Sequence, residues 1–236
     1  MRSNSYTLIF TSVITIFMGF LLSVAATSLK PLQEINIEID MKKNILGALG
    51  LKPEFSSKWT IEEVQSIYKK NIVGLVLDKN GEKTNKNPKE IDAEKNMDFF
   101  PIYLHQVGQE IKGYVIPISG KGLWSTLYGY FAIEPDCETV KGITFYKHAE
   151  TPGLGGEVEK PWFQENFKGK RFLDKNKNLV GIQVLKGSVD ESSKEAYRQV
   201  DGISGATITS KGLEKFLKED LAKYEPYFKT IRETIG

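Results

Sequence analysis

Reactive side chains are scarce in this sequence. Of its 236 residues one is cysteine, Cys137, and two are histidine, His105 and His148. A lone thiol closes no internal disulfide and supplies neither a thiolate zinc cage nor an iron–sulfur centre. The two histidines stand outside any metal-ligand spacing, so no metal site is expected, and His148 reads as a solvated loop residue or a pocket residue. Charge of one sign is missing too: the formal net charge is +2, with lysines scattered among acids, which excludes a basic stripe for nucleic acid. No P-loop is present, because Gly120-Lys121-Gly122 lacks its spacing and terminal Lys-Ser/Thr pair. Gly153-Leu154-Gly155-Gly156 lacks the spacing of a dinucleotide fingerprint. There is no G-x-S-x-G nucleophile elbow.

A long apolar run is what the chain does have. From Thr7 to Thr27, "TLIFTSVITIFMGFLLSVAAT" carries no charge and is long enough to cross a hydrocarbon core of about 30 Å as a helix. The small residues "SVA" at Ser23–Ala25 would also suit a signal peptidase, but the run exceeds the h-region of about 7–15 residues, which favours a retained anchor. Arg2 before the span and Lys30, Lys42 and Lys43 after it leave the positive-inside comparison nearly even; a long following domain is exported regardless of such charges.

Beyond the anchor, apolar spacing over Glu34–Leu51 is partly helical. Thr60 and Glu63 form a capping box before Ile61, Val64, Ile67 and Tyr68, predicting a short helix. "NIVGLVLDKNGE" reads as a strand and turn, and "KTNKNPKEID" as a polar loop. "FFPIYLHQV", "GYVIPI", "LYGYFAIEPD", "VKGITFYK" and "LVGIQVLKG" read as further strands. Few helices separate them, so antiparallel pairing and an α+β class follow. Leu213, Phe216, Leu217, Asp220 and Leu221 share one face of a C-terminal helix.

Two small-residue stretches bear on chemistry. "DGISGATITS", Asp201–Ser210, sets four hydroxyls and two glycines at the start of that helix. Unpaired amides and the positive end of a helix dipole favour a phosphate there, and Gly205 lets backbone approach an anion. Plain capping by Ser204 and Thr207, after a turn at Asp201, accounts for the same residues. In "HAETPGLGGEV", His148–Val158, Pro152 fixes one backbone angle while Gly153, Gly155 and Gly156 permit tight turns against a flat ring, or simply build a structural loop.

Asp201-Gly-Ile-Ser-Gly-Ala-Thr207 resembles the flavinylation motif of the FMN-binding domain family, and Glu150-Thr-Pro-Gly-Leu-Gly155 resembles the second signature of that family. "GKGLWSTLYGYFAI" from Gly120, "KKNILGALGL" and the single N-terminal span resemble, within it, the C subunit of sodium-translocating NADH:quinone oxidoreductases; the resemblance is weakest over Lys79–Lys95. It implies an anchor followed by a soluble domain with a largely antiparallel twisted sheet and flanking helices. The segments would be a cytoplasmic N-terminus (1–6), the transmembrane anchor (7–28), a helical connector (29–58) and an exported domain (59–236).

The resemblance further implies FMN joined by a phosphoester to Thr207, with Thr209 and Ser210 as runners-up. Ser204, Gly205 and Ala206 would shape the phosphate approach, and Asp201 would serve during attachment or build the helix-entry turn. Glu150, Thr151, Gly153, Leu154 and Gly155 would line the ring or ribityl chain, joined by Trp124 and Ser125. Lys121 would favour a negatively charged reduced flavin, or simply be solvated. The implied role is one electron relay between NADH and quinone, in the inner membrane with the domain on the periplasmic side. Implied partners are the other membrane and flavin subunits of a six-subunit complex and a flavin transferase that installs FMN from FAD. Two alternatives stay open: the G subunit of the ion-translocating ferredoxin:NAD oxidoreductase complex, and a membrane-tethered non-redox binding domain.

Overall fold

A computed structural model describes residues 3–53, 58–92 and 96–235, and the chain divides into two units, residues 1–41 and 42–236. Helix α1 runs from Asn4 to Ala48; its apolar part has a mean hydropathy of 2.3 and is wholly exposed, which makes it a candidate membrane span by length and composition. It ends short of the helical stretch expected up to residue 58, because Gly50 adopts φ +74 and closes a Schellman cap. The Leu51 amide donates to the Leu46 carbonyl at 3.0 Å, and that of Gly50 to Gly47 at 2.9 Å. Glu54–Ser57, also within the expected connector, lie outside the described residues.

In the second unit, α2 (Ile61–Asn71) starts at the expected capping box, with Glu63 N–H donating to Thr60 Oγ1 and Thr60 N–H to Glu63 Oε2. There follow β1 (Ile72–Asp78), β2 (Lys83–Thr84), β3 (Phe99–Val107), β4 (Glu110–Lys121), β5 (Thr126–Ile133) and β6 (Val140–Lys147). They form one antiparallel sheet in the order β2-β1-β3-β4-β5-β6, so chain neighbours are nearly always spatial neighbours, as short connections allow. Two expectations need correction. The polar loop after β1 contains the edge strand β2 and a 3-10 turn at Pro88–Glu90. "LVGIQVLKG" does not join the large sheet. After the short helix α3 (Pro161–Glu165), Leu179 makes an isolated antiparallel bridge to Leu173, and β7 (Gln183–Val184) pairs in parallel with β8 (Gln199–Val200). The turn at Gly181, φ +78, sends the Val180 and Gly181 amides to the Phe172 carbonyl, which takes this segment out of sheet register.

Helix α4 (Thr207–Ile235) follows β8 after six residues and lies against β4. Leu213, Phe216, Leu217, Leu221, Tyr224 and Phe228 are buried in one core with Ile116, Ile118, Phe131 and Phe172. Two glycines set the approach: a Cβ on Gly120 would stand 2.2 Å from Phe216 Cβ, and one on Gly212 2.2 Å from the Lys121 carbonyl oxygen. The one acid on this face has a strand partner. Asp220 Oδ2 accepts from the Ser119 amide at 2.8 Å while Lys223 Nζ donates to Oδ1 at 2.6 Å, compensating a buried carboxylate whose pKa burial raises.

The seating predicts that Gly212→Ala, which puts a methyl into a backbone oxygen, costs about 1–3 kcal/mol as overpacking does. Urea unfolding of wild type and variant checks this, the expected outcome being a lower midpoint at an unchanged slope.

Candidate functional site

Seating α4 on β4 carries its first turn to the end of the sheet where the chain leaves β4 at Lys121 and returns as β5. Three segments meet there: Gly122–Ser125, Glu150–Gly156 and Ile203–Ser210. Their common element is the side chain of Glu150, only 5% exposed. Its Oε1 accepts from the Trp124 amide at 2.9 Å, the Ser125 amide at 3.0 Å and Ser125 Oγ at 3.4 Å. Its Oε2 accepts from the Leu123 amide at 3.3 Å and from Thr209 Oγ1 at 2.7 Å. The consecutive amides 123–125 thus make an anion nest filled from within the chain. Burial alone would raise the carboxyl pKa. The Thr209 hydroxyl and the three amides outweigh it and hold the group below its ordinary value of 4.5.

Glycines make room for this carboxylate. A Cβ on Gly155 would stand 2.6 Å from Oε2 and 2.7 Å from Thr209 Oγ1; one on Gly122 would stand 2.7 Å from Oε1. Glu150 was expected to line a ring; its carboxylate faces inward, with its acceptors taken by the protein. Ser125 supports the same loop, accepting from the Ala149 amide at 2.8 Å. His148 is no solvated loop residue either. Its Nδ1 accepts from the Glu150 amide at 3.2 Å, and its buried Nε2, 3.4 Å from Glu159 Oε2, makes no hydrogen bond to a described residue.

Around the helix start the hydroxyls divide into two sets. Thr209 and Ser210 are buried, at 1% and 3%, and Thr209 is committed to Glu150, so these two do not face a ligand. Ser204 and Thr207 are exposed and make no hydrogen bond to a described residue, so neither caps the helix. Gly205 takes φ +73 and passes so close to the other loop that its Cβ would stand 2.7 Å from Leu154 Cδ2; Ala206 is buried. Asp201 ties this stretch to an earlier loop, its Oδ1 accepting from the Val189 amide at 2.7 Å. Thr151 is exposed, its carbonyl accepting from the Leu154 and Gly156 amides, and Gly153 takes φ +76. Lys121 is exposed at the end of β4.

The rim is apolar yet open. Trp124 is 70% exposed, Ile208 60% and Leu154 41%. Unpaired amides at the first turn of α4 beside such side chains can take a phosphate and a flat apolar ring together. Among the described residues no group of three or more acids, histidines or cysteines is arranged for a metal. A groove of about 770 Å³ elsewhere, between Asp136–Glu138 and the end of α4, is lined by charged side chains, among them Glu138, paired with Arg171 and Lys177, and Arg232, paired with Glu225.

Residues 122–222 match the FMN-binding domain family. The C subunit of the Na(+)-translocating NADH-quinone reductase of Pseudomonas aeruginosa is 34% identical, with 98% of this chain and 97% of that protein covered. That of Pasteurella multocida is 35% identical over 90% and 87%. The chain belongs to the C-subunit family of these reductases. In the crystal structure of the corresponding protein of Parabacteroides distasonis the fold recurs with a TM-score of 0.74 at 30% identity, covering 85% of this chain and 96% of that one. For NqrC of Shewanella oneidensis the values are 0.69, 25%, 82% and 97%. The fold class expected for this family, an apolar N-terminal helix before an antiparallel sheet with helices, is the observed one.

Sequence reasoning missed Gly122, Leu123, Ile208 and the inward role of Thr209. Gly122 and Leu123 stood inside "GKGLWS", but a backbone amide aimed at a distant carboxylate leaves no trace in residue type.

Since the folded Glu150 pKa is depressed, its contribution is complete above the ordinary carboxylate value and is lost as pH falls through the lower folded value. The expected outcome is that wild type is more stable than Glu150→Gln at neutral pH and that the gap narrows below about pH 4; urea unfolding of both proteins from neutral pH down to about pH 3 checks it.

Proposed function

We propose that this chain is a single-pass inner-membrane electron carrier holding FMN on Thr207 by a phosphoester, in a sodium-translocating NADH:quinone reductase. The observation that carries the reading is the Thr207 hydroxyl: exposed, unengaged, and in the first turn of α4 beside exposed Trp124, Leu154 and Ile208. Ser204 and the Gly205 backbone flank the phosphate position, and Ala206 anchors the turn from inside. The residues present fit the cofactor: the helix terminus offers amides to its phosphate, while the cramped contact of Gly205 with Leu154 keeps that approach free of a side chain. Bound FMN supplies the one- and two-electron chemistry, and the chain supplies position and electrostatics. A covalent tether keeps the flavin at permanently high local concentration, which matters for a domain outside the cytoplasm.

In this reading residues 1–6 are cytoplasmic, 7–28 are the anchor, 29–58 the connector and 59–236 the periplasmic domain. The apolar helix α1 and the family's membership in a multi-subunit reductase support that arrangement. Electrons come from NADH through a neighbouring redox protein of the complex and leave toward quinone; one span encloses no ion path, so sodium transport and both substrate sites belong to other subunits. A separate flavin transferase loads FMN from FAD. Lys121, exposed at the end of β4, favours the negatively charged reduced flavin.

Co-production of the full chain with a flavin transferase tests this. The expected result is an FMN mass adduct on the peptide containing Thr207 and in-gel flavin fluorescence, both abolished in Thr207→Ala. An adduct that persists in the variant, or a wild type that takes up no flavin, overturns the reading.

A further inference from the structure

We propose that the buried carboxylate of Glu150 is a positioning group that locks the wall of the flavin seat to the helix turn carrying the tether, and that it does so without touching flavin. The inference rests on the FMN reading of Thr207 and goes beyond it, because that reading needs only an exposed hydroxyl and an apolar rim.

A carboxylate offers about four lone-pair sites, and Glu150 receives contacts from Leu123, Trp124, Ser125 and Thr209, at distances from 2.7 Å to 3.4 Å, that fill them. Nothing is left over for a flavin hydroxyl or ring nitrogen. The donors divide between two walls of the site. Three are successive amides of the loop that presents Trp124, whose indole is mostly exposed and gains little support from packing, so its backbone must hold it. The Thr209 hydroxyl lies two residues beyond Thr207, in the first turn of α4. Gly155 and Gly122 have no room for a side chain because the carboxylate occupies that space, which ties the glycine loop to the same centre.

A hydrogen bond to a charged group is stronger than one between neutral groups, and removing one partner of a buried set leaves the others unsatisfied. The contacts therefore act together, and loss of one wall's link frees that wall relative to the other. Thr209 is the more selective handle, since its replacement keeps the charge and the nest while cutting the link to α4. Glu150→Gln instead removes a buried negative charge and turns amide protons toward amide donors.

The test uses the full chain loaded by a flavin transferase, comparing wild type, Thr209→Val, Thr209→Ser and Glu150→Gln well below their unfolding temperatures. Intact mass reports loading at Thr207, and visible circular dichroism, flavin fluorescence anisotropy and the midpoint potential report the seat. Thr209→Val is expected to carry FMN yet lose most of the flavin dichroism and show lower anisotropy, with Thr209→Ser restoring both. Glu150→Gln is expected to do the same and also to raise the midpoint potential, because a negative charge that opposes electron uptake is gone. Variants that melt earlier but keep wild-type dichroism, anisotropy and potential overturn the proposal, showing a stabilising role only. Failure of the FMN reading looks different: wild type itself then carries no flavin on Thr207.

Discussion

The seating of α4 on β4 is the constraint on which the rest of the domain depends. Gly120 and Gly212 bring backbone and ring within distances that no side chain at either place would permit. Phe216, Leu217 and Leu221 then fill the sheet face, and Asp220 ties the middle of the helix to the Ser119 amide. A helix held this closely has little freedom to slide, so its first turn is delivered to a fixed place beside the β4–β5 connection. The same contact explains an acid on an otherwise apolar face: the carboxylate takes up a strand amide, and Lys223 offsets its charge.

At that place a second constraint takes over. Three loops of unrelated sequence converge on one buried carboxylate rather than on an apolar centre. The cost of burying Glu150 is met by the Thr209 hydroxyl and three backbone amides, which pull its pKa down against burial. The polar centre leaves the apolar side chains free to face outward, so Trp124, Leu154 and Ile208 form a rim rather than a core. An exposed apolar rim beside a helix start suits a ring that must be held yet remain within electron-transfer reach of a neighbouring protein.

Much of this is legible in the order of residues. The capping box at Thr60 and Glu63, the strands from Phe99 to Lys147 and the amphipathic C-terminal helix depend on local pattern, and all three form as the pattern demands. The departures have a shared cause. "LVGIQVLKG" is apolar enough for a strand of the large sheet, but the turn at Gly181 diverts its amides, and only tertiary pairing reveals where they go. Glu150 and Ser125 read as ligand-facing in the sequence because residue type cannot tell an inward carboxylate from an outward one.

Membership in the C-subunit family, the apolar N-terminal span and the α+β class follow from the order of residues alone, since motif spacing and hydropathy are properties of the chain itself. Tertiary structure alone decided which of the helix hydroxyls of "DGISGATITS", those of Thr207, Thr209 and Ser210, face out. Thr207, Thr209 and Ser210 have similar chemistry and nearby positions, but a helix turns about 100° per residue. With α4 fixed against β4, that rotation buries Thr209 and Ser210 and leaves Thr207 in solvent.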